Sequence, residues 1–470
     1  MRDERRGIVM GIPRPFRWDT RRALRHGALN PRIDSRPGAS YRPTMKTNAC
    51  FLLLTLALAG SPARGAEPLP REWIDPDTGH RIVQLSTEPG TNSLYFTQYA
   101  YTAGGTKLLM TTRHGIDLVP LATGAIEHVF EGRVGRVLMT GRKTGAIYYT
   151  QGDAIFSLDP VTKQSRQLAQ LPPGGSVVTV NSDETLAAGS ITEGDTSSLG
   201  PRRTPVPAVP DAPAPGAVQP GGDNYPDKHA MMDRRLAARV PMTLFTVNLQ
   251  TGEIKTWLHT TDWINHFQFS PTDPTLLLYA HEGRQWKVDR VWLLRVDGKS
   301  EPKLVHQRTM KMEIAVHEYW SNDGQWVWYD LQTPLSEDCW VAGYNVYDGR
   351  RTWYHVPPNH WSVHYNTSPD GTLFSGDGSD AGLHYAQAKD AKWMFLFHPE
   401  LVPNQEGMTP DQAHMIQAGR FIPERLVNLG RHDYSLEPNG NFTPDGKWIV
   451  FRSNLRGPIH VYAVEVAKAR

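Results

Sequence analysis

Cysteine is almost absent: the 470 residues hold two, Cys50 and Cys339. Cys50 sits inside an apolar run near the N-terminus, so Cys339 has no internal partner once that run is removed. Core packing must then hold the fold without disulfides. Charge of one sign is also lacking. Lysine and arginine number 50 against 48 acidic residues, a net charge of +2, and no long basic run occurs, which argues against a nucleic-acid partner. Long hydrophobic runs are missing. The stretch Ala49 to Gly60 is 12 residues, too short to span a bilayer. There is no G-x-S-x-G elbow, no Walker loop and no H-E-x-x-H, so three common hydrolytic or nucleotide chemistries have no footing. The run Gly376 to Asp380 (GDGSD) resembles part of a calcium loop but lacks the remaining ligands and reads as a turn.

Turn formers and aromatics are abundant. Glycine and proline total 41 and 37, with 14 Trp and 17 Tyr, a composition that favours an all-β chain with many tight turns. Residues 1–44 are Arg- and Pro-rich without apolar periodicity. Met45 and Lys46 then precede the short apolar run and the small residues Ala63, Gly65 and Ala66. This pattern reads as a secretory signal peptide over 45–66. Residues 1–44 then read as a non-native or disordered extension, and the mature chain, 67–470, as periplasmic or secreted without a membrane anchor.

A repeat organises the mature chain. A turn followed by an apolar strand recurs as YTAGGTKLLMTT from Tyr101, GRKTGAIYYTQG from Gly141 and NSDETLAAGS from Asn181. It returns as FSPTDPTLLLYA from Phe269, WSNDGQWVWYD from Trp320, TSPDGTLFSGDG from Thr367 and FTPDGKWIVFRS from Phe442. Strand–turn–strand segments such as VNLQTGEIKTW from Val247 follow several copies and carry hairpin signatures. Each unit therefore holds about four short strands over roughly 40–50 residues, the size of a propeller blade. Seven copies predict a seven-bladed β-propeller. His80 to Ser86 (HRIVQLS) precedes the first copy and is placed to complete the last blade. Two intervals exceed one blade: a Pro/Gly-rich segment, 195–227, followed by a short helix over Lys228 to Arg239, and a second insertion, 381–430. Such insertions and short helices gather on one face of propellers, commonly the binding face.

REWIDPDTGHRIVQLS, SLYFTQYAYTAGGTKLL, the AHEG after the SPTDP strand, VHEYW, HYNTSPDGTLFSGDGSD and LEPNGNFTPDGKWIVFRSN together resemble the oligogalacturonate lyases. The resemblance runs from about Arg71 to the C-terminus. It implies a seven-bladed propeller that cleaves short 4-linked oligogalacturonides by β-elimination, with a divalent metal, typically manganese, in its central funnel and a 4,5-unsaturated uronate as product. Such a reaction needs a base for the C5 proton and positive charge for the uronate carboxylate.

The resemblance implies His266, in WINHFQFSP, as the base; the bland alternative is a hydrogen-bonded histidine in a blade loop. Arg239 is the implied partner in charge stabilisation, with Arg234 and Arg235 as rivals and a surface helix charge as the alternative. His317 in VHEYW matches a metal-ligand histidine. Where the family carries a Gln and two His before the last FTPD-type turn, this chain has Tyr434, Glu437 and Asn439. Glu437 and Asn439 share one face of an extended segment, and their oxygens suit manganese, magnesium or calcium. His432 stands nearby as a nitrogen donor; the alternative is a polar turn with no metal. His364, His281, Arg290 and Gln98 complete the expected substrate contacts, with Tyr95 beside Gln98. The expected chain is thus a monomeric or dimeric lyase acting on an oligogalacturonide. The rivals are a lyase for another uronate, such as a rhamnose-linked glucuronate, and a propeller that binds glycans or proteins without catalysis.

Overall fold

The turn chemistry of the repeat explains how the strands are set. In a computed structural model that describes residues 71–122, 124–200, 227–381, 386–403 and 415–469, the motif Ser/Thr-x-Asp-Gly forms one structure three times. The hydroxyls of Ser321, Ser368 and Thr443 donate to Asp323, Asp370 and Asp445 at 2.5, 2.6 and 2.6 Å. Each aspartate accepts a backbone N–H two residues on. Gly324, Gly371 and Gly446 then take φ of 68°, 71° and 70°, where a side chain is strained. The expected extension 1–44 and leader 45–66, and residues 201–226 of the Pro/Gly-rich segment, lie outside the described residues.

The turns feed antiparallel meanders. Ile314–Trp320, Trp326–Gln332, Cys339–Asn345 and Arg351–Val356 pair in sequence order, and three other four-stranded sheets repeat this pattern. Residues 107–131 form a three-stranded sheet. An eight-stranded sheet joins two meanders edge to edge, through a parallel pairing of Arg351–His355 with Ile416–Arg420. The strand His80–Gln84 pairs with the C-terminal strand His460–Lys468, so the two ends of the described chain share one sheet. The chain is therefore mostly antiparallel β.

The segment 381–430 is corrected by the structure. Trp393–Leu401 and Ile416–Asn428 are strands of the eight-stranded sheet, so much of this segment belongs to the repeat and is not an insertion outside it. Its apolar residues Met394, Leu396 and Phe397 are buried and supply core. The expected helix is present as α1, Lys228–Ala238.

Successive sheets bury their faces against each other. Leu138 and Ile155 pack with Val177 and Phe245; Leu244 packs with Ile264 and Leu277; Leu278 and Leu293 pack with Val327 and Tyr329. Leu108 and Met110 of an early sheet share a core with Val450 and Val461 of the C-terminal one. Tyr329 is fully buried, a burial that stabilises by about 2–3 kcal/mol. This stacking leaves the first strands of neighbouring sheets facing a common cavity.

Candidate active site

Four residues before the turn residue of four successive repeats stand His266, His317, His364 and Asn439. The turn residues are Ser270, Ser321, Ser368 and Thr443, each donating its N–H to the strand that follows. All four of the preceding residues adopt left-handed backbone, with φ of 52°, 52°, 48° and 54°. For a non-glycine residue this costs about 1–2 kcal/mol. At His266 and His317 the pairing register also shifts. Strain repeated at one position of the repeat marks a site that the surrounding structure holds in place.

The cavity of about 860 Å³ is lined by His266, His317, Glu437 and Asn439 together with Tyr95 and Trp263. That volume suits a small ligand. His364 lies just beneath, its ring 4.5 Å from that of His317 and 5.6 Å from that of Tyr95. Tyr95 in turn reaches His266 at 6.1 Å. Residues dispersed over the sequence thus meet at one place.

His266 has the surroundings of a base. Its side chain is 30 % exposed, and its Nε2 lies 2.8 Å from Oε1 of the buried Glu282. Burial works against a charged Glu282, but Arg290 and His266 outweigh it and hold the carboxyl well below its ordinary range. An ionised carboxylate only accepts, so Nε2 carries the hydrogen and Nδ1 is left as the basic nitrogen. Arg290 is corrected here. Its guanidinium borders the cavity but is held by Glu282 at 2.9 Å and Glu318 at 2.8 Å, so it anchors the His266 partner and is not a free clamp for substrate.

The second cluster is richer in oxygen. His317 Nδ1 lies 2.6 Å from Asp330 and His364 Nδ1 lies 3.0 Å from Asp377, contacts that fix each ring. His364 Nε2 faces Glu437 at 3.4 Å. Burial disfavours charge on His364, but Glu437 and Asp377 prevail and push its pKa up to about 9. Burial, followed by the neighbouring His364, holds His317 well below the ordinary histidine value. Burial also raises Asp330. Asn439 Oδ1 is buried and accepts no hydrogen bond among the described residues, although the Asn439 amide donates to Glu437 O at 3.2 Å. Among the described residues no three His, Cys, Asp or Glu side chains are gathered as a ready cation cage. The donors at hand are one imidazole, one carboxylate and an amide oxygen still lacking a partner. That mixed set suits a hard divalent cation.

Other expected residues stand elsewhere. His432 is buried, with Nδ1 2.8 Å from Ser453 Oγ and Nε2 2.6 Å from Leu436 O. Both ring nitrogens are engaged, so it is no metal donor here. Arg239 caps α1 outside the cavity and pairs with Asp262 at 2.7 Å. The α1 arginine nearest the site is Arg235, whose guanidinium lies 4.1 Å over the ring of Trp263; Arg234 is paired with Asp227. His281 stacks on Trp292 at 4.6 Å, away from the cavity lining. Gln98 lines the cavity, but its amide bonds backbone at Tyr95, Val137 and Leu138, so it shapes the wall. Two arginines of the cavity, Arg136 and Arg142, were not anticipated. Arg136 opens the strand RVLMT and Arg142 follows its end, and the apolar pattern of that strand gives no hint of which way these two side chains face.

A family model described as oligogalacturonate lyase matches residues 235–469, half of the chain. An oligogalacturonide lyase of Pectobacterium atrosepticum is 25% identical over 236 residues, covering 47% of this chain and 55% of that protein. An oligogalacturonate lyase of Dickeya dadantii is 25% identical over 235 residues, with the same coverage. The match therefore spans about half the length of these curated relatives. Among solved structures, an oligogalacturonate lyase in complex with manganese superposes with a TM-score of 0.63 at 22% identity, over 84% of this chain and 96% of that one. An oligogalacturonate lyase from Vibrio parahaemolyticus gives 0.63 at 19%, with the same coverage. At these identities the likeness is one of fold.

Proposed function

Since the chain belongs to the oligogalacturonate lyase family, we propose that it cleaves short 4-linked oligogalacturonides by β-elimination, on a seven-bladed propeller whose axial cavity is the active site. The observation that carries this reading is the partly exposed His266 backed by the buried, ionised Glu282. His266 Nδ1 takes the C5 proton of the uronate. Glu282 holds the tautomer and offsets the imidazolium charge as it forms. The C4–O4 bond breaks as the C4–C5 double bond forms, the leaving O4 takes a proton from water, and the His266 imidazolium returns its proton to solvent. The products are a shortened oligosaccharide and a 4,5-unsaturated uronate.

The C5 proton is weakly acidic because negative charge builds beside a carboxylate, so positive charge near that carboxylate lowers the barrier. Lys228, at the start of α1 and on the cavity wall, and Arg235 over Trp263 are the cations of α1 in this region. His317, Glu437 and Asn439 would hold a divalent metal, manganese first and magnesium or calcium next, whose charge when bound acts on the same carboxylate. The reading of residues 45–66 as a leader places the enzyme in the periplasm or outside the cell; N-terminal sequencing of the exported protein checks it.

The test is direct. Incubation with trigalacturonate should raise ultraviolet absorbance from the conjugated product, and His266→Ala should abolish the rise while melting like the parent. Binding without any unsaturated product would instead favour a non-catalytic glycan receptor.

A further inference from the structure

Among the described residues the cavity wall carries five lysine and arginine side chains. Arg290 is held by Glu282 and Glu318. Arg452 donates to Glu437 O and to Asn92, and Lys228 is largely buried at the start of α1. Arg136 and Arg142 also line the cavity and are open to its solvent, yet neither forms a salt bridge among the described residues. The cavity carboxylates cannot serve them: Glu282 is taken by His266 and Arg290, and Glu437 by His364.

An arginine does not discharge by losing its proton. Both therefore stay charged on the cavity wall with no acidic partner among the described residues, and an anion entering the cavity is placed to pair with them. Arg142 is also pre-set: its guanidinium lies 3.9 Å over the Tyr99 ring, which limits the freedom lost on binding. Arg136 opens the strand Arg136–Thr140 and Arg142 follows its end. The two stand at opposite ends of this strand, and a chain of acidic sugars presents a carboxylate on every residue.

We propose that Arg136 and Arg142 are two separate carboxylate-binding positions of the cavity, which receive different uronate residues of one oligosaccharide through charged, forked hydrogen bonds. This rests on the lyase reading above and adds to it a basis for recognising an oligomer over a single sugar. Arg136 neighbours Val137, which stands at the repeat position that His266 fills elsewhere, so it serves the residue near the bond cleaved. Arg142, at the turn end, serves a residue farther along.

The experiment uses the full chain carrying His266→Ala, which binds without turnover, and calorimetric titration with trigalacturonate and with its fully methyl-esterified form. Adding Arg136→Gln or Arg142→Gln should each weaken binding of the free acid by at least about tenfold. The same changes should alter binding of the ester by less than about threefold, and Arg→Lys variants should recover part of the loss. Melting curves confirm the fold of each variant. Free-acid affinity within about threefold of the parent, or equal losses for acid and ester, would overturn the assignment. Cleavage by the unmutated chain is followed in parallel and reports on the lyase reading alone. Normal cleavage with indifferent arginines sinks the two positions only. Arginine-dependent binding with no cleavage sinks the lyase reading only. No binding of trigalacturonate sinks both.

Discussion

Replacing Glu282 by glutamine isolates the contribution of one buried charge. The carboxylate lies 2.8 Å from His266 Nε2. At an effective dielectric of about 20, its attraction for a full imidazolium at that distance is about 6 kcal/mol. With the proton about half transferred in the transition state, about 3 kcal/mol of that attraction is realised. Its loss lowers kcat by about two orders of magnitude. Glutamine keeps the shape, but its amide does not enforce the Nε2–H tautomer. Glu282 is buried and engaged by His266 and Arg290, so it acts through the base and KM should change by no more than a few-fold. Arg290 retains Glu318 at 2.8 Å, which limits the structural damage to a measurable drop in Tm. The assay is initial-rate production of unsaturated uronate from trigalacturonate, with melting curves alongside. The double variant His266→Ala/Glu282→Gln should be no slower than His266→Ala alone, because Glu282 acts through the imidazole. A folded Glu282→Gln enzyme with kcat within about threefold of the parent would refute the coupling.

Chelator-treated protein should take up manganese, read by the loss of the free-ion paramagnetic resonance signal, and Glu437→Ala or Asn439→Ala should weaken that uptake at least tenfold; unchanged affinity would remove these donors from the account. His432 tests the opposite assignment. Unfolded, it titrates near 6.5; folded, burial brings it down to about 4. Between those values the unfolded chain takes up a proton that the folded one refuses, so the His432 contribution is complete above about pH 6.5 and is lost as pH falls towards 4. The difference is about 3 kcal/mol, and His432→Gln should flatten the decline in Tm over that window. Gly378→Ala should destabilise the fold: φ is +72°, and a Cβ would collide with the backbone oxygens of Trp393 and Ala391. An unchanged Tm in that variant would show that the loop gives way.

The turn motif was legible in the sequence because its chemistry is local. Ser/Thr-x-Asp-Gly closes on itself through bonds that span two residues, and the spacing of its copies fixes where the first strands begin. His266 and His317 were legible for a related reason, since both stand four residues before a turn residue and so recur at one height of the repeat. The same count also reaches His364 and Asn439, whose shared left-handed backbone only coordinates reveal. What the sequence hid is long-range pairing. Arg290 looks like a free clamp until Glu282 and Glu318 are seen beside it. His432 looks like a ligand until Ser453 and Leu436 are seen to hold both nitrogens. Arg136 and Arg142 escaped notice for the converse reason: an arginine with no salt-bridge partner among the described residues looks like any surface charge until the cavity around it is known.

The most direct test of the central claim is a crystal structure of the His266→Ala protein soaked with trigalacturonate. The account predicts the oligosaccharide in the cavity, with one uronate C5–H turned towards the vacated imidazole position and that residue's carboxylate on the side of His317 and Glu437. An oligosaccharide seated outside the cavity, or one whose C5 faces away from position 266, would contradict it.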